Sequence, residues 1–156
     1  MPIIAITHFI YYFRVYILAH SENIMSLPIE YTRLNLQALE KTKRQRQHKA
    51  QLLIIRHGEI NIRLGKTLIS LNQSQSLWLP HDCLYAIESL TACQIDALAF
   101  SARVTTSLPI TLYPCTTSPL LPVLIDELMA IDNTTTAAQH LFQVCLDQVH
   151  KLTEHH

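Results

Sequence analysis

A chain of 156 residues that is 49% hydrophobic and only 15% charged has the composition of one packed domain, which excludes an intrinsically disordered protein. Its 12 basic and 12 acidic residues balance to a formal net charge of zero, so the overall basic excess of a free-standing nucleic-acid binder is absent. Cys83, Cys93, Cys115 and Cys145 include no CxxC pair, which removes the zinc-knuckle and thioredoxin-like signatures and leaves reduced thiols in a cytoplasmic protein as the expectation.

Residues 1–24 are the most apolar stretch, with Ile3-Ile4-Ala5-Ile6, Phe9-Ile10-Tyr11-Tyr12-Phe13 and Val15 to Ala19 in close succession. A membrane span needs about 20 apolar residues with few charges, and His8 and Arg14 interrupt a shorter run. A secretory signal needs a positive start and a small-residue cleavage site. Met1-Pro2-Ile3 offers no charge, and Leu18-Ala19-His20-Ser21 is a poor site. The expectation is an apolar extension ahead of a domain that begins at Met25, with no membrane association. Tyr31 to Leu39 alternates weakly, as a first strand or an extended arm would. The one basic cluster, Lys41 to Arg46 and on to Lys49, reads as a solvated loop or strand entry, with a phosphate-binding patch as the alternative.

The stretch from Gln45 to Tyr85 carries three β-rich runs between turn signals, and Gly58 and Gly65, the only glycines, fall at two of the turns. Leu84 to Ile87 and Cys93 to Phe100 read as further strands, and Leu108 to Tyr113 as a last one ended by Pro114. The period then changes. Ser118 is placed as an N-cap and Pro119 as the first helical residue. Leu121, Leu124, Ile125, Leu128 and Met129 form one apolar stripe. A second helix, capped within Thr134 to Thr136, carries Leu141, Cys145, Val149 and Leu152 on one face. The pattern predicts a mainly-β α+β domain, with an antiparallel β-barrel or sandwich over 25–117 and two antiparallel helices over 118–156.

The order Gln51-Leu52-Leu53-Ile54-Ile55, Gly58, Leu77-Trp78-Leu79-Pro80, then Ser118-Pro119-Leu120-Leu121 resembles the N-terminal cupin domain of AraC-type transcriptional regulators over about Tyr31 to Glu154. The resemblance implies a double-stranded β-helix that senses a small effector, followed by helices that pair two subunits. It also implies DNA binding through a C-terminal pair of helix-turn-helix motifs, which are not expected within these 156 residues. In metal-binding cupins a His-x-His pair, a carboxylate or Gln and a later His hold the ion. By alignment Gln45 and Gln47 stand where the paired histidines would be, and Tyr85 where the last one would be. Metal-dependent catalysis is therefore not expected, nor is any cofactor.

What the residues support instead is a polar-lined pocket. Gln45, Gln47, Gln51, Leu53 and Ile55 share a face if the strand runs without a break, and Trp78 and Tyr85 would add aromatic walls. The alternatives are a purely structural Trp78 in the core and glutamines on an exposed strand entry. His81-Asp82-Cys83 reads as a turn rather than as a Cys–His catalytic pair, since no third group orients it. Leu141, Cys145, Val149 and Leu152 are a candidate homodimer seam, with packing on the chain's own barrel as the equal alternative. The functional expectation is a non-enzymatic, cytoplasmic, effector-binding and dimerisation domain. The alternative is a stand-alone cupin, either enzymatic or only binding.

Overall fold

The structure is a computed structural model and describes residues 29–101 and 113–154. The apolar extension and most of the predicted strand Leu108 to Tyr113 lie outside the described residues. Among the described residues nine strands are followed by two helices: β1 Ile29–Leu36, β2 Gln45–Gln47, β3 Ala50–His57, β4 Glu59–Leu64, β5 Thr67–Asn72, β6 Gln75–Leu79, β7 Cys83–Ser89, β8 Cys93–Phe100, β9 Tyr113–Thr116, α1 Leu120–Ala130 and α2 Thr136–Glu154. They form a five-stranded sheet in the order β1-β8-β3-β6-β9 and a four-stranded sheet in the order β2-β7-β4-β5, with antiparallel pairing throughout.

The two sheets face each other across one apolar layer. Leu34, Leu53, Leu77 and Ile95 from the larger sheet meet Ile60, Ile62, Tyr85 and Ile87 from the smaller one. This is a jelly-roll sandwich of two open sheets. The helices cover the other face of the larger sheet. There Tyr31, Leu52, Ile54, Trp78, Leu98 and Phe100 pack against Leu121, Ile125, Leu128, Phe142, Cys145 and Val149. The middle strand β3 is therefore sealed on both sides, and all six residues from Ala50 to Ile55 are buried. Two-sided burial explains its near-continuous hydrophobic run, since a strand with one wet face would alternate.

Four local expectations shift. The single strand read from Gln45 to Ile55 is broken at His48 and Lys49, where the chain leaves one sheet for the other. β1 begins at Ile29 and stops at Leu36, and Leu39 lies beyond it at φ 64°. Pro114 does not end the last strand but lies inside β9, opposite Leu77. That is an edge strand, where proline costs no ladder bond on its outer side. Pro119, not Ser118, occupies the N-cap position of α1. Ser118 Oγ still accepts the Leu120 N–H at 3.4 Å, and it donates to Gln148 Oε1 at 2.8 Å, tying the start of α1 to α2. The Thr134 to Thr136 cap is realised by Thr135, whose Oγ1 accepts the Ala138 N–H at 3.2 Å.

Both glycines take positive φ, 88° at Gly58 and 61° at Gly65. They differ in surroundings. A Cβ at Gly58 would lie 2.5 Å from the Ala92 carbonyl oxygen and 2.7 Å from Cys93 Cβ, whereas nothing lies within 4 Å of one at Gly65. Gly58→Ala combines backbone strain with a backbone clash and is expected to cost on the order of 3 kcal/mol in urea unfolding. Gly65→Ala carries strain alone and is expected to cost about 1 kcal/mol. Equal costs at the two positions would show that the approach of the β3–β4 turn to Ala92 is not a constraint.

The helices are fastened by an ionic network as well as by the apolar layer. Arg33 on β1 faces Asp96 across the β1–β8 register. Its Nε donates to Asp96 Oδ1 at 2.7 Å and its Nη2 to Oδ2 at 3.0 Å, a two-point contact on a carboxylate that is 1% exposed. Arg56 falls at the register shift between Ile55 and His57. An irregularity there re-aims a side chain, and Arg56 reaches Asp126 of α1 at 2.8 and 3.0 Å and the Pro122 carbonyl at 3.0 Å. Arg33 also donates to Asp126 at 3.1 Å, so one aspartate of the sheet and one of the helix share two arginines. The hydrogen bond with Asp96 raises the Arg33 guanidinium above its already high ordinary value and keeps it charged.

Candidate functional site

One end of the space between the sheets is built from two rows of cross-strand neighbours. The outer row runs Glu30, Ala99, Gln51, Leu79 and the next runs Thr32, Ala97, Leu53, Leu77. Below them Leu34, Ile95 and Ile55 close the floor. Ala97 and Ala99 lie on a central strand yet remain half-buried rather than sealed.

Gln51, 3% exposed, donates from Nε2 to Tyr85 Oη at 2.7 Å, and Tyr85 is 4% exposed. This bond joins the two sheets. It also keeps the Gln51 amide from being an unpaired buried polar group, which would cost about 1–3 kcal/mol. Gln45 is the register partner of Tyr85 and Gln47 that of Cys83. Directly opposed residues share a face, so both half-buried glutamines are on the Tyr85 side. Four residues read from the sequence as pocket residues, Gln45, Gln47, Gln51 and Tyr85, are thus brought to one end of the cup, with Leu53 one row deeper. The break at His48 and Lys49 means that they come from two sheets rather than from one long strand face. Lys49 Nζ lies 2.8 Å from Glu30 Oε1 at the rim.

Trp78 requires correction. It opposes Leu52, not Gln51, and is fully buried on the helix side with its ring 5.6 Å from that of Phe100. Its indole belongs to the helix-side core, where the structural alternative puts it. The candidate dimer seam requires correction too. Cys145 and Val149 are 0% exposed within this chain, and partly buried Leu141 packs against the same core, so at these residues the stripe covers the chain's own sheet, as the alternative reading has it. Burial pushes the Cys145 thiol up to about 12. The side chain of Leu152 lies outside the described residues.

His81-Asp82 forms the turn between β6 and β7, and Asp82 takes φ 60°, the position a turn glycine often fills. Asp82 accepts from His81 Nδ1 and His48 Nδ1, both at 3.1 Å. These bonds, His81 first, hold its carboxyl below the usual aspartate value. Burial raises the Cys83 thiol. A nucleophilic cysteine needs the opposite shift, and the Nδ1 atoms of His81 and His48 bond to Asp82.

The donor set at the rim does not fit a divalent transition metal. The positions corresponding to cupin ligands hold neutral amides and a phenol, and Gln51 and Tyr85 already bond to each other. Among the described residues no group of three or more His, Cys, Asp or Glu is arranged to hold a metal ion. A concavity of about 240 Å³ lies between the end of β3 and the start of α1, where Arg56 is bound to Asp126 and the Pro122 carbonyl. Among the described residues no helix is long and apolar enough to cross a membrane.

Facing antiparallel sheets with trailing helices define a cupin-type, double-stranded β-helix fold. A ToxT variant from Vibrio cholerae in its apo form is structurally similar, with a TM-score of 0.61 and 10% identity over 77% of this chain and 53% of that one. The present chain therefore spans about half of the length of that neighbour. A cupin superfamily protein from Desulfitobacterium hafniense matches with a TM-score of 0.46 and 17% identity over 49% of this chain and 71% of that one. No protein-family model matches the chain, and no curated protein sequence does. At these identities the likeness concerns the fold.

Glu30, Thr32, Ala97 and Ala99 escaped the sequence reading. Their alternation marks them as one face of a strand, but only the β1–β8–β3 register puts them beside Gln51.

Proposed function

We propose that this chain is the effector-binding domain of an AraC-type transcriptional regulator, and that it is not an enzyme. The observation that carries the reading is the buried Gln51–Tyr85 pair, set among aliphatic side chains at one end of the space between the sheets, with Gln45 and Gln47 on the Tyr85 side. Neutral donors and acceptors above an apolar floor suit a compact, uncharged, mostly apolar molecule with one hydrogen-bonding group. The likeness to ToxT, an AraC-type regulator, supports the regulatory role. With the α2 stripe buried, pairing through the helices falls to Leu120 and Val123, the exposed aliphatic side chains of α1.

Thermal unfolding against a panel of small metabolites tests the site. An effector at a hundred times its Kd stabilises by about 2.7 kcal/mol. Gln51→Leu is expected to abolish that shift while leaving the far-ultraviolet circular dichroism unchanged. A ligand whose shift survives both Gln51→Leu and Tyr85→Phe binds elsewhere, and the cup reading then fails. Paired helix-turn-helix segments encoded downstream of His156 would support the regulator assignment. An unrelated downstream gene with no such segments would count against it.

A further inference from the structure

We propose that the outer edge of β5 pairs with the same edge of a second copy of this chain, joining the two smaller sheets into one about a two-fold axis. β5 ends the four-stranded sheet, and among the described residues it pairs with β4 alone. Its register with β4 runs from Leu64–Thr67 to Glu59–Asn72 without a bulge. The Asn72 N–H bonds to Gln75 Oε1 at 2.9 Å, so it points away from β4. Ladder groups alternate along an antiparallel strand, so the N–H and C=O of Leu68 and Ser70 point outward as well. Leu68 is 45% exposed, and Ser70 is exposed beside it. Edge strands are ordinarily guarded by charge, proline, a bulge or shortness. β9 carries Pro114, and β2 has three residues with Arg46 at its centre. β5 has six residues, and no charge or proline occurs from Thr67 to Leu79.

A second copy fits this edge in one register. With Ile69 opposite the partner's Ile69, Leu68 and the partner's Ser70 exchange both backbone hydrogen bonds, and the symmetric pair does the same. This register uses the outward groups and leaves the engaged Asn72 N–H alone, whereas centring on Ser70 would require it. On the outer face the two Leu68 side chains become diagonal neighbours and cover each other. The charges at the ends are complementary. Lys66 reaches the end of the partner's β5, where Asn72 opposes Glu59. That places Lys66 and Glu59 two strand spacings apart, about 10 Å between backbones, which two long side chains span. Both are exposed, and neither makes an ion pair among the described residues. The two-fold axis makes this meeting twice and keeps the two Lys66 side chains at opposite ends. Arg63, which opposes Leu68, is already held by Glu88 at 3.2 Å. The contact is separate from any through Leu120 and Val123, since α1 covers the other sheet.

Sedimentation of the full chain is expected to show a concentration-dependent dimer, with amide exchange at Leu68 and Ser70 slowing as it forms. Ser70→Pro removes an outward N–H without touching a β4 bond. It is expected to raise the dissociation constant roughly tenfold or more at unchanged circular dichroism. Leu68→Lys gives the same direction if proline disturbs the strand. Ile69→Cys is expected to form a disulfide-linked dimer on mild oxidation, because opposed residues of a non-hydrogen-bonded pair hold their Cα atoms about 4.5 Å apart. The parent chain, oxidised alongside, controls for its own four cysteines. A strict monomer would overturn the proposal. So would a dimer that survives both edge variants and is lost in Val123→Glu. Protection of Leu68 and Ser70 in the monomer would overturn it too, because a segment of the same chain would then lie on the edge.

Discussion

Asp96→Ala is expected to destabilise the domain by about 3–5 kcal/mol, because it strands the charge that Arg33 brings to a carboxylate 1% exposed to solvent. Arg56 loses its neighbour at 3.5 Å as well and keeps only Asp126 and the Pro122 carbonyl. Thermal unfolding is the measurement, and a drop of roughly 10–20 °C in Tm is expected from the size of the domain. Asp126→Ala is the control. Asp126 is 52% exposed, so solvent screens its bonds and its removal is expected to cost about 1 kcal/mol or less. Equal losses at the two aspartates would contradict the picture of a buried carboxylate anchoring the network.

The same network sets the direction of acid sensitivity. Partial burial raises the Asp126 carboxyl, but the hydrogen bonds and charges of Arg56 and Arg33 outweigh it and leave the value below 3.8. A depressed folded-state value means that the stabilisation is present above the ordinary aspartate value and is lost as pH falls through the folded one. The helix-to-sheet latch should therefore hold at neutral pH and loosen only under strongly acidic conditions.

Trp78→Ala should cost about 3–5 kcal/mol, from lost burial and from the cavity left against Phe100 and Leu52. Urea unfolding followed by circular dichroism measures it, since the substitution removes the chain's only tryptophan. Trp78→Phe separates the structural role from a binding one. The indole faces the helices, so this variant should lose stability but retain any ligand response that depends on Gln51. A variant stable as the parent yet deaf to ligand would return Trp78 to the cup.

Much of the architecture was legible because it rests on local chemistry. Alternation marks β7 and β8, glycine with positive φ marks the turns after β3 and β4, and the three- and four-residue steps from Leu121 to Leu128 mark the buried stripe of α1. These features follow from the stereochemistry of single residues and their near neighbours. Much of the candidate site was legible as well, because Gln45, Gln47 and Tyr85 differ in polarity from the aliphatic residues around them.

What tertiary structure alone decided is which side of each element faces what. On β3 both faces are apolar and both are buried, so parity separates Gln51 from Leu52 but does not say which one sees the cup. Trp78 inherits that ambiguity through its pairing with Leu52. In the same way, the step from Leu141 to Cys145 to Val149 defines a stripe without defining its cover, and the cover is the chain's own sheet. Arg33 and Asp126 are 93 residues apart and carry no mutual signal. Their meeting is fixed by the docking of α1 on the sheet, a long-range packing event that no local pattern encodes.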